Sequence, residues 1–300
     1  MQFNITAPQA ISAGACTRLS QARRQSGFTL LELMVGITVG LLVVAVAAGA
    51  LMVSRGVSGT VSDASGIQQQ SAYAMRVIGL QLRQAGSLFL NTNPQSIPAS
   101  AATAAPVAFE TKAPASGSAN GFDPAINTLS AASGVLTVGY RRYKEPVYAA
   151  STDQALSRNC IGSPGNNSAD QRVESIFQLN GSELRCSGNG SSAQPIVQNV
   201  ANFQVRYLLQ NNAVANNPTI QYVAADAVGA GNWSKVQAVE VCLVFYGSER
   251  IDMPAGSTYT DCDGTAVDMT TLTGARARRM HIAYRNVFQL RSQGLVGSVL

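Results

Sequence analysis

Between Phe28 and Val53 the chain reads FTLLELMVGITVGLLVVAVAAGALMV, 26 residues in which Glu32 is the only charge. As a helix rising roughly 1.5 Å per residue, the run is about 39 Å long, enough to cross a hydrocarbon layer of ~30 Å. A carboxylate in such a setting costs on the order of 2.5–3.5 kcal/mol at mid-membrane, so its presence points to a task. The first constraint on this chain is therefore an apolar helix with one charge near its start.

Four readings of the N-terminus follow from what precedes that run. Residues 1–27 carry Arg18, Arg23 and Arg24 and no acid. A lipoprotein signal would use Ala13-Gly14-Ala15-Cys16, but no apolar stretch precedes Cys16. A secretory signal could be cut after Ala47 or Ala50, since Ala45-Val46-Ala47 fits a small-residue site; the run is long for a removed signal and holds Glu32. A plain anchor explains the length and leaves Glu32 without a role.

The fourth reading uses every residue. SGFTLLEL, Ser26 to Leu33, sits directly on the apolar run and resembles the class III signal of type IV prepilins. The resemblance implies cleavage between Gly27 and Phe28 by a membrane aspartyl peptidase, and N-methylation of Phe28. The basic leader would stay in the cytoplasm, in keeping with the positive-inside rule. Phe28 and Glu32 stand at i and i+4, on one helix face. After cleavage Phe28 has a free ammonium at a helix N-terminus, where the macrodipole disfavours positive charge. Glu32 can neutralise such an amine, above all that of an adjoining subunit, which makes it an assembly residue.

Past the membrane the helix is expected to continue on an imperfect stripe of Val57, Val61, Ala64, Ile67, Tyr73, Val77, Leu80 and Leu82, and to end near LQLRQAGS, with Gly86 after its C-terminus. Residues 91–125, with Pro94, Pro98, Pro106 and Pro114, read as a loop. Strand candidates follow: residues 134–142, 175–179 and 182–186, the last two joined at Asn180-Gly181. In NFQVRYLLQ, Phe203, Val205, Tyr207 and Leu209 alternate with polar residues. In RRMHIAYRNVFQLR, Met280, Ile282, Tyr284, Phe288 and Leu290 share one face, and Arg279, His281, Arg285 and Arg291 the other. VQAVEVCLVFY, 236–246, is apolar throughout and reads as a central strand.

LRQAGS, VANFQVRYLL, WSKVQAVEVCLVFY and RRMHIAYRNVFQLR are similar to landmarks of PilW-type minor pilins, relatives of the J-type minor pseudopilins of type II secretion. The resemblance implies an α+β pilin-like fold, with a long N-terminal transmembrane and amphipathic helix packed on an antiparallel β-sheet head. It divides the chain into a cleaved leader (1–27), a transmembrane helix part (28–53), a periplasmic helix part (54–90), a linker (91–130) and a β-rich head (131–300). It implies a non-enzymatic minor pilin in type IV pilus assembly or priming, at a tip complex, supporting motility, adhesion or DNA uptake. Its partners would be other minor and major pilins, the prepilin peptidase, the inner-membrane assembly platform and a tip adhesin. It would sit as a single-pass inner-membrane protein with its head in the periplasm, then in the fibre. A type II secretion pseudopilin and an anchored periplasmic enzyme remain as alternatives.

Chemistry-bearing residues are sparse. Only 12% of the 300 residues are charged and the formal net charge is +5. Without the three leader arginines, 18 basic residues face 16 acidic ones, so no global balance favours nucleic acid. No cofactor is expected. His281 is the sole histidine and is expected to be an ordinary exposed residue of the arginine face. No G-x-S-x-G elbow is present. Asp261 and Asp263, in DCDGT, alternate before a glycine as in part of a calcium loop; an ordinary turn is the simpler reading. Arg276, Arg278, Arg279, Arg285 and Arg291, like Arg141, Arg142 and Lys144, read as solvated faces without interleaved aromatics. Setting Cys16 aside, Cys160, Cys186, Cys242 and Cys262 form no CxxC pair, and two disulfides in an oxidising compartment are expected. Three pairings are open; the nearest-neighbour one, Cys160–Cys186 and Cys242–Cys262, is the expectation.

Overall fold

A computed structural model of the chain describes residues 27–87, 90–91, 103–104, 108–110, 122, 124–132, 134–149, 151–165, 172–211, 219–229 and 231–290. Residues 1–26, including Cys16 and the leader arginines, lie outside this description, as do Pro94, Pro98, Pro106, Pro114 and Arg291. The chain divides into two compact units, Met1–Ser54 and Arg55–Leu300.

Helix α1 spans Leu30–Gln84. Thr29 caps its start: its Oγ1 accepts the Glu32 N–H at 3.2 Å, and its carbonyl accepts the Leu33 N–H at 3.1 Å. Thr29-Leu30-Leu31-Glu32 has the T-x-x-E spacing of a capping box. In the first unit all described helix residues are exposed, including Leu41, Leu42 and Val44. Helix α1 ends with Gly86 at φ +67°, the left-handed conformation that closes helices, and its N–H donates to the Gly139 carbonyl at 2.9 Å.

The second unit begins with the C-terminal half of α1. Short strands β1 (Leu90–Asn91), β2 (Thr103–Ala104) and β3 (Ala108–Glu110) form a small sheet of their own inside the stretch expected to be loop. Helix α2 (Pro124–Asn127) leads into β4 (Leu129–Ala132) and β5 (Val135–Arg141), then the short pair β6 (Lys144–Glu145) and β7 (Gln154–Ala155). Strands β8 (Arg172–Asn180), β9 (Glu183–Gly188) and β10 (Ser191–Val197) complete an antiparallel sheet ordered β10-β9-β8-β5-β4. Strands β11 (Val200–Asn211) and β12 (Thr219–Val223) precede helix α3 (Ala225–Val228) and β13 (Val236–Tyr246). Then come the β14 (Thr258–Thr260) and β15 (Ala266–Asp268) hairpin and β16 (His281–Gln289). The second antiparallel sheet runs β12-β11-β13-β16, so the uniformly apolar segment is central.

Alternation along β5, β8 and β9 aims Leu136, Val138, Phe177 and Leu184 into the same cluster as Phe203, Tyr207, Val241 and Phe245 of the other sheet. Ile67, Ala74, Ile78 and Leu82 of α1 enter that cluster from the helix. The buried helix stripe is therefore Asp63, Ile67, Ser71, Ala74, Ile78 and Leu82, at 3–4 residue spacing, with Gly79 and Gln81 buried beside it. Apolarity alone misplaces it: Val57, Val61, Tyr73 and Leu80 are exposed, while Asp63, Ser71 and Gln81 go inside. Polar residues can be buried there because each is bonded. The Ser175 hydroxyl donates to Gln81 Oε1 at 2.9 Å, and Gln81 Nε2 donates to the Arg158 carbonyl at 3.3 Å.

Two local expectations are corrected. The β8–β9 turn is Gly181-Ser182, because Asn180 pairs with Glu183 as the last strand residue. Gly181 takes φ +61° at the first turn position, a type II′ requirement, not the Asn-Gly type I′ pattern. Arg142, expected to be solvated, is buried with its guanidinium donating to the Gly165 carbonyl. A guanidinium can be placed there because a backbone acceptor meets it.

Candidate functional site

The first candidate is the opening turn of α1. Gly27, Phe28 and Glu32 are all exposed, Phe28 at 86%, and Glu32 lies in the first helical turn. The bond at Glu32 is made by its backbone N–H, to Thr29, and its side chain faces outward. The turn thus presents an exposed aromatic, a carboxylate four residues on, and an apolar helix face behind them. An exposed apolar surface of this extent calls for lipid or protein cover.

The second candidate is the disulfide-bounded end of the head. Cys242 of β13 is bonded to Cys262, with Cα atoms 5.7 Å apart, and Cys160 to Cys186 of β9, with Cα atoms 6.2 Å apart. Cys242, Val244, Tyr259 and Cys262 form a small second core that ties the β14–β15 hairpin to the central strand. Asp261 Oδ1 accepts hydrogen bonds from Asn202 Nδ2 at 2.8 Å and the Cys262 N–H at 2.6 Å. Asp263 Oδ1 accepts from the Thr265 hydroxyl at 2.7 Å and its N–H at 2.9 Å, bonds that hold its carboxyl below the usual range. These two carboxylates organise a turn, and among the described residues no three His, Cys, Asp or Glu side chains converge as a metal site would need.

His281 is not the exposed residue that strand alternation suggests. It is 5% exposed, stacked on Tyr259 with ring centres 4.8 Å apart, beside Tyr246 at 5.9 Å. The hairpin covers the face that alternation assigns to solvent. The Arg279 carbonyl lies 2.8 Å from Nδ1 and can only accept, so Nδ1 carries the proton and Nε2 is left bare. Nε2 is buried without a hydrogen-bond partner. Burial pulls the imidazole pKa below its ordinary value, and the nearby Arg276 charge adds to this, against the opposing Arg279 bond and Asp261. This histidine is a packed ring, held between the Arg279 carbonyl and the two tyrosines.

The arginines of the C-terminal segment disperse into structural bonds. Arg278 pairs with Asp252, Arg279 Nη1 donates to the Gly247 carbonyl at 3.0 Å, and Arg285 Nη2 donates to the Cys262 carbonyl at 2.8 Å. They form no shared phosphate-binding row.

A further feature escapes sequence reading. Asp63 of α1 is 8% exposed and accepts three hydrogen bonds from the loop after β13. Burial alone would raise its pKa; the Ser248 hydroxyl, the Glu249 and Ser248 N–H groups and the Arg279 charge outweigh that and leave it lowered. Its only sequence signal is an isolated acid on a helix that carries no other acid after Glu32.

Set beside known proteins, residues 165–292 match the family model described as type IV pilus-assembly protein W. Residues 22–48 match that described as the prokaryotic N-terminal methylation motif. A type IV-like pilin from Thermus thermophilus is similar in structure, at 15% identity over 76% of this chain and 96% of its own, with a TM-score of 0.38. No curated protein matches.

Proposed function

For a chain that its two family matches identify as a type IV minor pilin, we propose a place in the priming or tip complex of a type IV pilus. The observation that carries this reading is the methylation-motif match lying on the capped start of an exposed apolar helix in the same chain as the pilus-assembly match. The peptidase cuts between Gly27 and Phe28, and Phe28 is then N-methylated. The subunit waits as a single-pass inner-membrane protein with its head in the periplasm. It leaves the bilayer by exchanging lipid for the helices of neighbouring pilins. Glu32 then meets the terminal amine of an adjoining subunit, since a buried ammonium without a counter-charge is costly. The matched assembly family is a pilus family and not an enzyme family, and the role assigned here is structural. Motility, adhesion and DNA uptake would be outputs of the fibre.

Mass spectrometry of the mature protein tests the first step: the expected N-terminus is N-methyl-Phe28. An intact leader in cells with an active prepilin peptidase, or a terminus after Ala47 or Ala50, overturns it. Deletion tests the machine: loss of surface pili with intact protein secretion is expected, and the reverse pattern assigns the subunit to type II secretion.

A further inference from the structure

The two larger sheets end in edge strands that differ in length and regularity. Strand β10 carries Pro195 and two register shifts, β4 has four residues, and β12 has five. Strand β16 differs: nine residues pair with β13 in unbroken register from Tyr246↔His281 to Ala238↔Gln289, with no proline and no bulge. It lies at the end of the sheet order, with no second strand paired to it among the described residues. Leu290 donates its N–H to the Gln237 carbonyl, so even-numbered positions face β13. Val287 instead donates to the side-chain Oδ1 of Asn286, so the odd-numbered backbone groups point away from the sheet. Such an edge is a template for another strand unless something covers it.

Beside this edge lies a groove of about 440 Å³ between strand and helix. Met75, Gly79, Leu80 and Phe288 give it an apolar floor, and Arg76 and Arg83 rim it. Between Ala64 and Gln84 the helix carries those two arginines and no acid. Both are exposed, and neither has an ion-pair partner among the described residues. Seven helical residues set them about 10 Å apart. Two carboxylates at alternate positions of a strand, about 7 Å apart, fall within reach of both guanidinium groups.

We infer that the β16 edge and its Arg76–Arg83 rim bind an extended, acidic segment of another protein, added to the sheet as a fifth strand. Backbone hydrogen bonds supply affinity, and the arginines select acidic side chains at the alternate positions that share their face of the sheet. The inference goes beyond the pilus role and holds whichever machine the subunit serves, so its failure leaves that role standing.

The full chain in detergent micelles can be titrated with a fluorescent synthetic peptide, Thr-Val-Glu-Val-Glu-Val-Thr, and with the same peptide carrying Lys for Glu. The Glu peptide should bind, slow amide exchange at 283–289, and outcompete the Lys peptide at least tenfold. Val287→Pro removes an outward N–H without touching the β13 ladder and should weaken binding at least tenfold, whereas Val287→Ala should not. Arg76→Glu with Arg83→Glu should do the same from exposed helix positions, which keeps the test decisive if the proline variant fails to fold. No binding by the Glu peptide, equal binding of both peptides, or full binding by the charge-reversed protein overturns the inference. Val287-sensitive self-association without peptide binding overturns it in favour of a second copy of this chain.

Discussion

Asp63 Oδ1 lies 2.6 Å from the Ser248 hydroxyl and 3.1 Å from the Ser248 N–H, while its other oxygen takes the Glu249 N–H at 2.8 Å. One helical carboxylate thus satisfies three donors of the loop that leaves the central strand. It is also the first buried residue along α1. Asp63→Ala should cost about 2–3 kcal/mol, because it strands donors that a charged acceptor had satisfied. The pH sign follows from a lowered folded pKa. The stabilisation is fully present above the unfolded value of about 4 and is lost as pH falls through the folded value. Urea midpoints of the full chain between pH 2 and 6 should show a step that Asp63→Asn flattens. An unchanged step would assign it to other carboxylates.

The buried imidazole makes a separate, milder pH range. His281 has a folded pKa below the usual ~6.5. The unfolded chain therefore binds the proton more readily, and stability rises with pH between the two values. Acidification below about pH 6.5 should lower the urea midpoint. His281→Phe, which keeps a ring against Tyr259, should remove that slope while leaving the Asp63 step lower down. A slope that persists in the variant sinks this assignment.

Gly79 is required by a close approach rather than by backbone conformation. A Cβ there would sit 2.5 Å from Phe288 Cε1, inside any real contact. An exposed helical Gly→Ala gains about 1 kcal/mol from propensity. Here overpacking against a buried ring should outweigh it, and Gly79→Ala should destabilise by about 1–2 kcal/mol net. Gly66→Ala, where a Cβ meets nothing, is the control and should stabilise. Thermal midpoints of the two variants should move in opposite directions.

What could be read in advance divides along physical lines. Strands β11 and β13 were legible because a strand buries every second side chain when one face is covered, and nearly all of them when both are. The apolar run of α1 with Glu32 near its start was legible because these residues are local in sequence; the Thr29 cap came only with the structure. The buried side of α1 was not, because Asp63 and Gln81 are inside only through partners 185 and 94 residues away, Ser248 and Ser175. Likewise His281 is hidden by the β14–β15 hairpin, tied down through Cys262, which no alternation within β16 can announce. Short strands such as β1 to β3 carry too few residues to show a period at all.

Cys160–Cys186 and Cys242–Cys262 should be recovered by non-reducing peptide mapping. Both close loops of about 20–26 residues, so each contributes roughly 3 kcal/mol in the chain-entropy model. Cys242→Ser with Cys262→Ser should also loosen the hairpin that shelters His281, raising its proton affinity toward the free value. Crossed links, or free thiols at all four positions in periplasmic material, would refute the pairing.

Glu32 remains the sharpest test of assembly. Its backbone N–H caps onto Thr29, and that bond survives any side-chain replacement. Glu32→Ala and Glu32→Gln should therefore leave the helix start intact, and the Gly27-Phe28 bond lies outside the altered turn. Both variants should insert and mature normally. What they lose is the charge that meets a neighbour's terminal amine. In low dielectric an ammonium without that partner weakens docking by about 3 kcal/mol, a loss of roughly a hundredfold in affinity. Crosslinking to other pilins and recovery in sheared fibres, compared at equal processing, should fall for both variants. Loss in Ala with recovery in Gln would assign the role to hydrogen bonding alone. Normal incorporation of both would remove Glu32 from the assembly contact. Where the subunit occupies the very top of a fibre no amine lies ahead of it, so its own carboxylate has least to do there. The defect should then shrink in the tip complex while the same substitution in subunits below it still blocks growth.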